Sequence, residues 1–83
     1  MSIQVFKPEL VEPILKKYPE LDIALRAGIV SLKMVRDLLG IDRWLMQEVY
    51  KELIKAGAVV GVSSSCFRAS PAMQEYLKER EAV

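Results

Sequence analysis

Residues 31–60 constrain the fold of this chain more than any other stretch. Apolar residues recur at helical spacing from 32 to 39, Gly40 interrupts the repeat, and a second run continues from 46 to 54 until Gly57 ends it. Because residues three and four apart share one face of a helix, this spacing predicts two helices, joined by a tight turn and closed by a glycine cap. Val59 and Val60 then begin two short apolar stretches around three serines, which predicts a β-hairpin.

Proline, glycine and serine residues mark the remaining elements. Pro13 lies inside the apolar repeat of the first helix, so we expect a short, irregular helix that kinks or is shortened there. A second helix is predicted to stop at Gly28, and a very short strand should follow at 29–30. Ser31 is well placed to cap the next helix, and a serine–proline pair at 70–71 predicts the start of a final helix.

The length of the chain indicates a single domain. A domain close to these 83 residues buries only roughly 60% of its unfolded surface, which leaves no room for a second core. We divide it into an N-terminal extension at 1–18, a core at 19–69 and a C-terminal helix at 70–83. The predicted fold class is mainly α with a small β-hairpin (α+β), with one extra helix before the core and one after it.

Charge and cysteine usage argue against several classes of function. A formal charge of +1 gives no overall attraction to phosphate or to an anionic membrane. One cysteine and no histidine provide neither a disulfide framework nor a Cys/His metal site, and the usual residue for proton transfer near neutral pH is missing. No apolar run approaches the roughly 20 residues that span a bilayer. We therefore expect a cytoplasmic protein that is not an enzyme and has no cofactor, membrane partner or small-molecule substrate.

Residues 19–69 resemble the winged helix-turn-helix superfamily. The positions that carry the resemblance are Ser31, Leu32, Val35, Leu39, Ile41, Met46, Val49, Tyr50, Leu53, Gly57, Val59 and Val60. Among members of the superfamily, the spacing and the serine-rich hairpin ending in Phe67-Arg68 look most like the C-terminal gamma domain of FtsK-type DNA translocases. The resemblance implies a duplex DNA-binding protein, such as a small transcriptional regulator or a DNA-processing accessory factor. Its second helix would lie in the major groove, and its hairpin wing would touch the adjacent backbone or minor groove.

The helix predicted at 42–56 carries the candidate base-reading residues. With its apolar face turned inward, the outward side presents Trp44, Gln47, Glu48, Lys51 and Lys55, and Arg43 lies beside it at the first turn. Under the resemblance, Gln47 could read adenine and Arg43 could read guanine. Lys51 and Lys55 could hold phosphates. Glu48 could accept a hydrogen bond from cytosine, and otherwise it repels the backbone.

The hairpin tip admits two interpretations. Ser64, in the triplet 63–65, could hydrogen-bond phosphate oxygens while Arg68 reaches a groove, or the triplet could be only a polar turn. Neighbouring residues of a strand point to opposite faces, so Phe67 is predicted in the core and Arg68 in solvent. Cys66 shares the face of Arg68, and with no histidine to activate it we expect an inert thiol.

Trp44 supports a second hypothesis, from a different class of function. An indole on an outward helical face is a large apolar area, and aromatic anchors are enriched where proteins dock. Residues 28–55 hold five basic and four acidic side chains, a mixture that suits a protein contact better than a phosphate track. Trp44 could therefore dock a protein partner, or the N-terminal segment could fold back and cover it.

The helix that precedes the turn raises a similar question. Met34 and Leu38 project away from its core stripe and give this helix a second apolar face. Within the chain, the cover would come from Phe6, Leu10, Ile14 and Leu15. Otherwise it would come from a second copy of the protein in a symmetric homodimer.

Overall fold

A computed structural model of the protein describes residues 5–81 and confirms the predicted fold class. Five helices surround a small three-stranded antiparallel sheet in the described part of the chain, in a winged-helix-like layout. The elements in chain order are α1 (Pro8–Lys17), α2 (Pro19–Arg26), β1 (Val30–Ser31), α3 (Leu32–Leu39), α4 (Arg43–Lys55), β2 (Val59–Gly61), β3 (Cys66–Ala69) and α5 (Pro71–Glu81).

The sheet places β3 between β1 and β2. Val60 pairs with Arg68 across the hairpin, and Val30 pairs with Phe67 on the other side of β3. The first strand therefore lies one residue later than the predicted 29–30. Val30 is buried opposite Phe67, whereas Ile29 is exposed, so burial decides which residue starts the strand.

The helix pair is bounded by the capping interactions that its sequence predicts. The backbone N–H of Met34 donates to Ser31 Oγ at 3.0 Å, which caps α3 as expected. Gly40 then ends α3 with φ of 66°, a left-handed conformation that costs glycine little. Asp42 begins α4 by accepting from the backbone N–H of Leu45 at 2.8 Å. The caps on both sides of the turn are thus local interactions.

The core lies between the helices and the inner face of the sheet. Phe67 is fully buried and meets the ring of Tyr50 with centroids 5.2 Å apart, as its predicted inward orientation requires. Helix α4 turns Met46, Val49 and Leu53 into this core. Its opposite side is consequently in solvent.

Helix α1 differs from the sequence prediction. It runs for ten residues and continues four residues beyond Pro13, so the expectation that this proline shortens the helix is wrong. Val11 and Leu15, on either side of Pro13, are both buried in the core. Their packing offsets the roughly 3 kcal/mol that a proline inside a helix can cost.

The second apolar face of α3 is not covered from within the described chain. Met34 is 50% exposed and Leu38 47% exposed, so the alternative in which the chain itself covers them is wrong for the described residues. Helix α1 packs instead against α2 and α4. Leu15 of α1 is already buried in the main core and is therefore not available to cover Met34 and Leu38.

The segment before α1 is attached to the end of α4. The backbone N–H of Lys7 donates to the carbonyl oxygen of Ala56 at 2.8 Å. Phe6 packs edge-on against Tyr76 of α5, with ring centroids 5.5 Å apart. The N-terminal segment therefore crosses the C-terminal end of α4 and lies away from Trp44 at its beginning.

Candidate nucleic-acid interface

Helix α4 presents two different flanks to solvent. At about 100° per residue, Arg43 and Gln47 lie on one flank, and Glu48 and Glu52 lie on the other. Trp44 lies on the outward ridge between them, with Lys51 and Lys55 further along. The charged residues that alternate in the sequence are thus sorted by side around the helix.

A cleft of about 440 Å³ opens on the first flank, between α3, α4 and the hairpin tip. Its lining residues are Leu32, Lys33 and Arg36 of α3, Arg43, Met46 and Gln47 of α4, and Ser65 of the hairpin. Three of these side chains are basic, and none is acidic. The cleft therefore concentrates positive charge that the net charge of +1 does not reveal.

The charge of Arg36 is only weakly compensated. Its Nε lies 3.9 Å from Oδ1 of Asp37, whose side chain is 66% exposed. An exposed ion pair at this distance contributes about 0–1 kcal/mol at most. A phosphate in the cleft would compete with this carboxylate at little cost.

The hairpin tip reaches the cleft through backbone hydrogen bonds. The N–H of Leu32, at the start of α3, donates to the carbonyl oxygen of Ser65 at 2.8 Å. Within the tip, the N–H of Val62 donates to the carbonyl oxygen of Cys66 at 2.9 Å. Ser65 is therefore held beside the helix pair instead of projecting away from it.

The structure brings only some of the predicted DNA-contacting residues together. Arg43 and Gln47 both line the cleft. Lys51 and Lys55 are exposed further along α4. Ser64 and Arg68 are also exposed, but neither is among the residues that line the cleft.

Sequence reasoning missed three residues of the cleft. Lys33 and Arg36 entered only the overall charge count, and Ser65 was considered only as part of the serine triplet. Their spacing of three along α3 places Lys33 and Arg36 on neighbouring positions of one side of that helix. That spacing could have shown that Lys33 and Arg36 form a basic pair on α3. It could not have shown which side of α4 the pair approaches, because that depends on how the two helices pack.

Trp44 is 81% exposed, which answers one question that the sequence left open. For the described residues from Val5 onward, the interpretation in which the N-terminal segment covers this indole is wrong. The segment from Val5 to Lys7 lies instead at Gly57 and Ala56, beyond the other end of α4. Trp44 is thus a large apolar side chain in solvent next to the basic cleft.

A smaller groove of about 220 Å³ runs along the second flank, between α1 and α4. Its lining residues are Pro13, Ile14, Lys17 and Tyr18 of α1 and Leu45, Glu48, Val49 and Glu52 of α4. Lys17 extends over the Tyr18 ring, with Nζ 5.6 Å from its centroid. The floor is apolar, and both carboxylates stand on the α4 rim.

Three further features of the described chain are its cysteine, its potential metal ligands and the apolar character of its helices. Cys66 is a free, half-buried thiol whose Sγ lies 4.0 Å from Ser65 Oγ. Within residues 5–81, His, Cys, Asp and Glu side chains form no group of three or more that could hold a metal ion. None of the helices in this range combines the length and apolar character needed to cross a membrane.

Comparison with known protein families, with curated proteins and with solved structures finds no significant match to this chain. The geometry and charge of the surface therefore carry the functional argument.

Proposed function

We propose that this protein is a duplex DNA-binding module of the winged-helix type. The observation that supports the proposal best is the cleft beside α4, where Lys33, Arg36 and Arg43 converge without an acidic neighbour in its lining. Phosphate neutralisation by lysine and arginine provides most of the non-specific affinity of DNA-binding proteins. The helix pair and the wing meet at this same cleft.

The basic and amide side chains of this surface each have a role in the proposal. Arg43 and Gln47, at the start of α4, approach base edges, where arginine reads guanine and glutamine reads adenine. Lys33 and Arg36 hold the phosphates that flank the groove, and Lys51 and Lys55 provide further phosphate contacts along α4.

The wing completes the interface. Ser65 lies in the cleft, and Ser64 with Arg68 extends the contact to the neighbouring backbone. The module itself carries no catalytic step in this proposal. A cytoplasmic regulator of transcription or an accessory factor in DNA processing would use such a module, and this wider role rests on analogy with the fold.

Acidic and basic side chains lie on different sides of α4, so the near-neutral total charge does not prevent one side from attracting phosphate. Glu48 and Glu52 lie on the α1 flank, away from Arg43 and Gln47. Phosphates are therefore repelled on one side of the helix and attracted on the other. The protein is expected to place the DNA backbone on the flank formed with α3 and the wing.

The decisive experiment is a titration of labelled mixed-sequence duplex DNA, followed by fluorescence anisotropy at low and near-physiological salt. If Lys33, Arg36, Lys51 and Lys55 each neutralise one phosphate, the slope of log affinity against log salt is about −3.6. Replacing Lys33 or Arg36 singly by alanine should reduce the magnitude of that slope by about 0.9.

The matched control is Lys16→Ala, which removes the same charge from an exposed position on α1 outside the cleft. Its slope should equal that of the wild type. Absence of binding at low salt would contradict the proposal. An equal reduction of the salt slope in the control and in the cleft variants would also contradict it. Once a preferred site is known, Gln47→Ala should relax preference at one base pair, whereas Lys51→Ala should weaken all sequences alike.

Trp44 supports a second candidate function, a protein-interaction winged helix. Its 81% exposure is the observation that favours this alternative, because tryptophan is enriched among the residues that dominate protein interfaces. Under this candidate, Trp44→Ala abolishes capture of the partner and leaves the fold intact. If the variant retains every protein partner and the protein binds DNA in a salt-dependent way, the result favours the DNA-binding function over this alternative.

A further inference from the structure

We propose that the groove between α1 and α4 is a docking site for a basic amphipathic helix of a partner protein. This inference goes beyond both candidate functions, since it needs neither the basic cleft nor Trp44. The groove exists only because α1 packs alongside α4, a contact that the sequence did not predict.

The floor of the groove sets the first requirement for a partner. Val49 is buried and Ile14 is half-buried, while Leu45 remains 38% exposed at the surface. The volume of about 220 Å³ is below the roughly 300–1,000 Å³ of pockets that enclose whole small molecules. One or two bulky aliphatic or aromatic side chains of a peptide would fit this space.

The rim sets the second requirement, which is positive charge. Glu48 and Glu52 are one helical turn apart and stand along the α4 edge of the groove. Lys17 on the opposite edge extends over the ring of Tyr18 and is the one basic residue of the lining, so the lining carries a net charge of −1. A partner helix with arginine or lysine along one border of its apolar stripe would match this edge.

The position of the groove is compatible with simultaneous DNA binding. It lies on the flank of α4 opposite to the basic cleft, and its two carboxylates repel phosphate. Binding of a helix in a groove is a common mode of peptide recognition. The helix inserts apolar side chains that are three, four and seven residues apart. The two flanks of α4 would then hold different partners.

The test uses two labelled synthetic peptides of about 18 residues, long enough to form several helical turns. Both carry leucines at helical spacing, with arginine at the flanking positions in one and glutamate in the other. Anisotropy should show at least tenfold tighter binding of the arginine peptide. The double variant Glu48→Lys with Glu52→Lys should weaken that binding at least tenfold.

The matched control is Glu75→Lys with Glu79→Lys on α5, which has the same spacing and charge change at exposed positions away from the groove. This variant should bind the arginine peptide within twofold of the wild type. Trp44→Ala should also retain binding, because Trp44 does not line the groove. Far-UV circular dichroism confirms that each variant is folded.

Five results would overturn the proposal. The first is that neither peptide binds, and the second is that both bind equally well. The third is that the two glutamate-to-lysine double variants lose the same affinity, and the fourth is that Trp44→Ala alone abolishes binding. The fifth is a wild-type dimer in sedimentation that disappears in the Glu48/Glu52 double variant, because a second copy would then occupy the groove. None of these results depends on whether the protein binds DNA.

Discussion

Replacing Gly57 by alanine should destabilise the protein more than the same change at Gly40. Both glycines follow a helix in the left-handed conformation, with φ of 70° and 66°. A Cβ atom on Gly57 would lie 2.9 Å from the carbonyl oxygen of Val5 and 3.2 Å from the Cα of Phe6, whereas a Cβ on Gly40 meets nothing within 4 Å. The pair therefore isolates the close approach of the N-terminal segment to the end of α4.

The two variants share one cost and differ in another. The left-handed conformation costs an alanine about 1–2 kcal/mol at either position, and any gain from a stiffer unfolded chain is the same for both. At Gly57 the backbone of residues 5–7 must also move. That movement weakens the hydrogen bond from Lys7 N–H to Ala56 oxygen, about 0.5–1.5 kcal/mol, and the contact of Phe6 with Tyr76, about 0.5–1.5 kcal/mol.

Gly57→Ala is therefore expected to lose about 1–3 kcal/mol more than Gly40→Ala. Urea unfolding followed by far-UV circular dichroism measures both losses as the free energy of unfolding in water. In thermal unfolding, each kcal/mol corresponds to about 4–8 °C in a domain of this size. Equal losses for the two variants would refute the reasoning, because the N-terminal segment would then not lie against Gly57.

Two further predictions concern single side chains. Ser70 is buried, donates its hydroxyl to the carbonyl oxygen of Gly57 at 2.7 Å and accepts from the N–H of Met73 at 3.2 Å, so Ser70→Ala should cost about 1–3 kcal/mol in urea unfolding. A loss below about 0.5 kcal/mol would show that these bonds do not matter. Trp44→Ala should change stability by no more than about 0.5 kcal/mol, since the indole is in solvent. A loss of several kcal/mol would mean that Trp44 is buried.

Local sequence signals predicted most of the secondary structure because their interactions are local. Ser31 caps a helix that begins at the next residue, and Gly40 adopts the left-handed conformation that ends this helix. Ser70 caps α5 in the same way. Each of these contacts spans five residues or fewer, so it depends little on the rest of the fold.

The errors arose where distant packing outweighed a local preference. Pro13 disfavours a helix on its own, but the burial of Val11 and Leu15 holds α1 through it. Met34 and Leu38 were expected to be covered either from within the chain or by a second copy, and within the described chain they are about half exposed. Periodicity identifies the faces of a helix, but it does not tell which face meets which neighbour.

The candidate site divides in the same way between sequence and tertiary structure. The outward positions of Arg43, Trp44 and Gln47 follow from the period of α4 alone, and the structure leaves all three exposed. The convergence of Lys33, Arg36 and Arg43 in one cleft was decided by the packing of α3 beside α4 and by the hydrogen bond from Leu32 to Ser65. The groove on the other flank likewise exists because α1 packs there. Helical periodicity sets the angle of each side chain around its own axis, whereas only contacts between elements distant in the chain set which side chains share a surface.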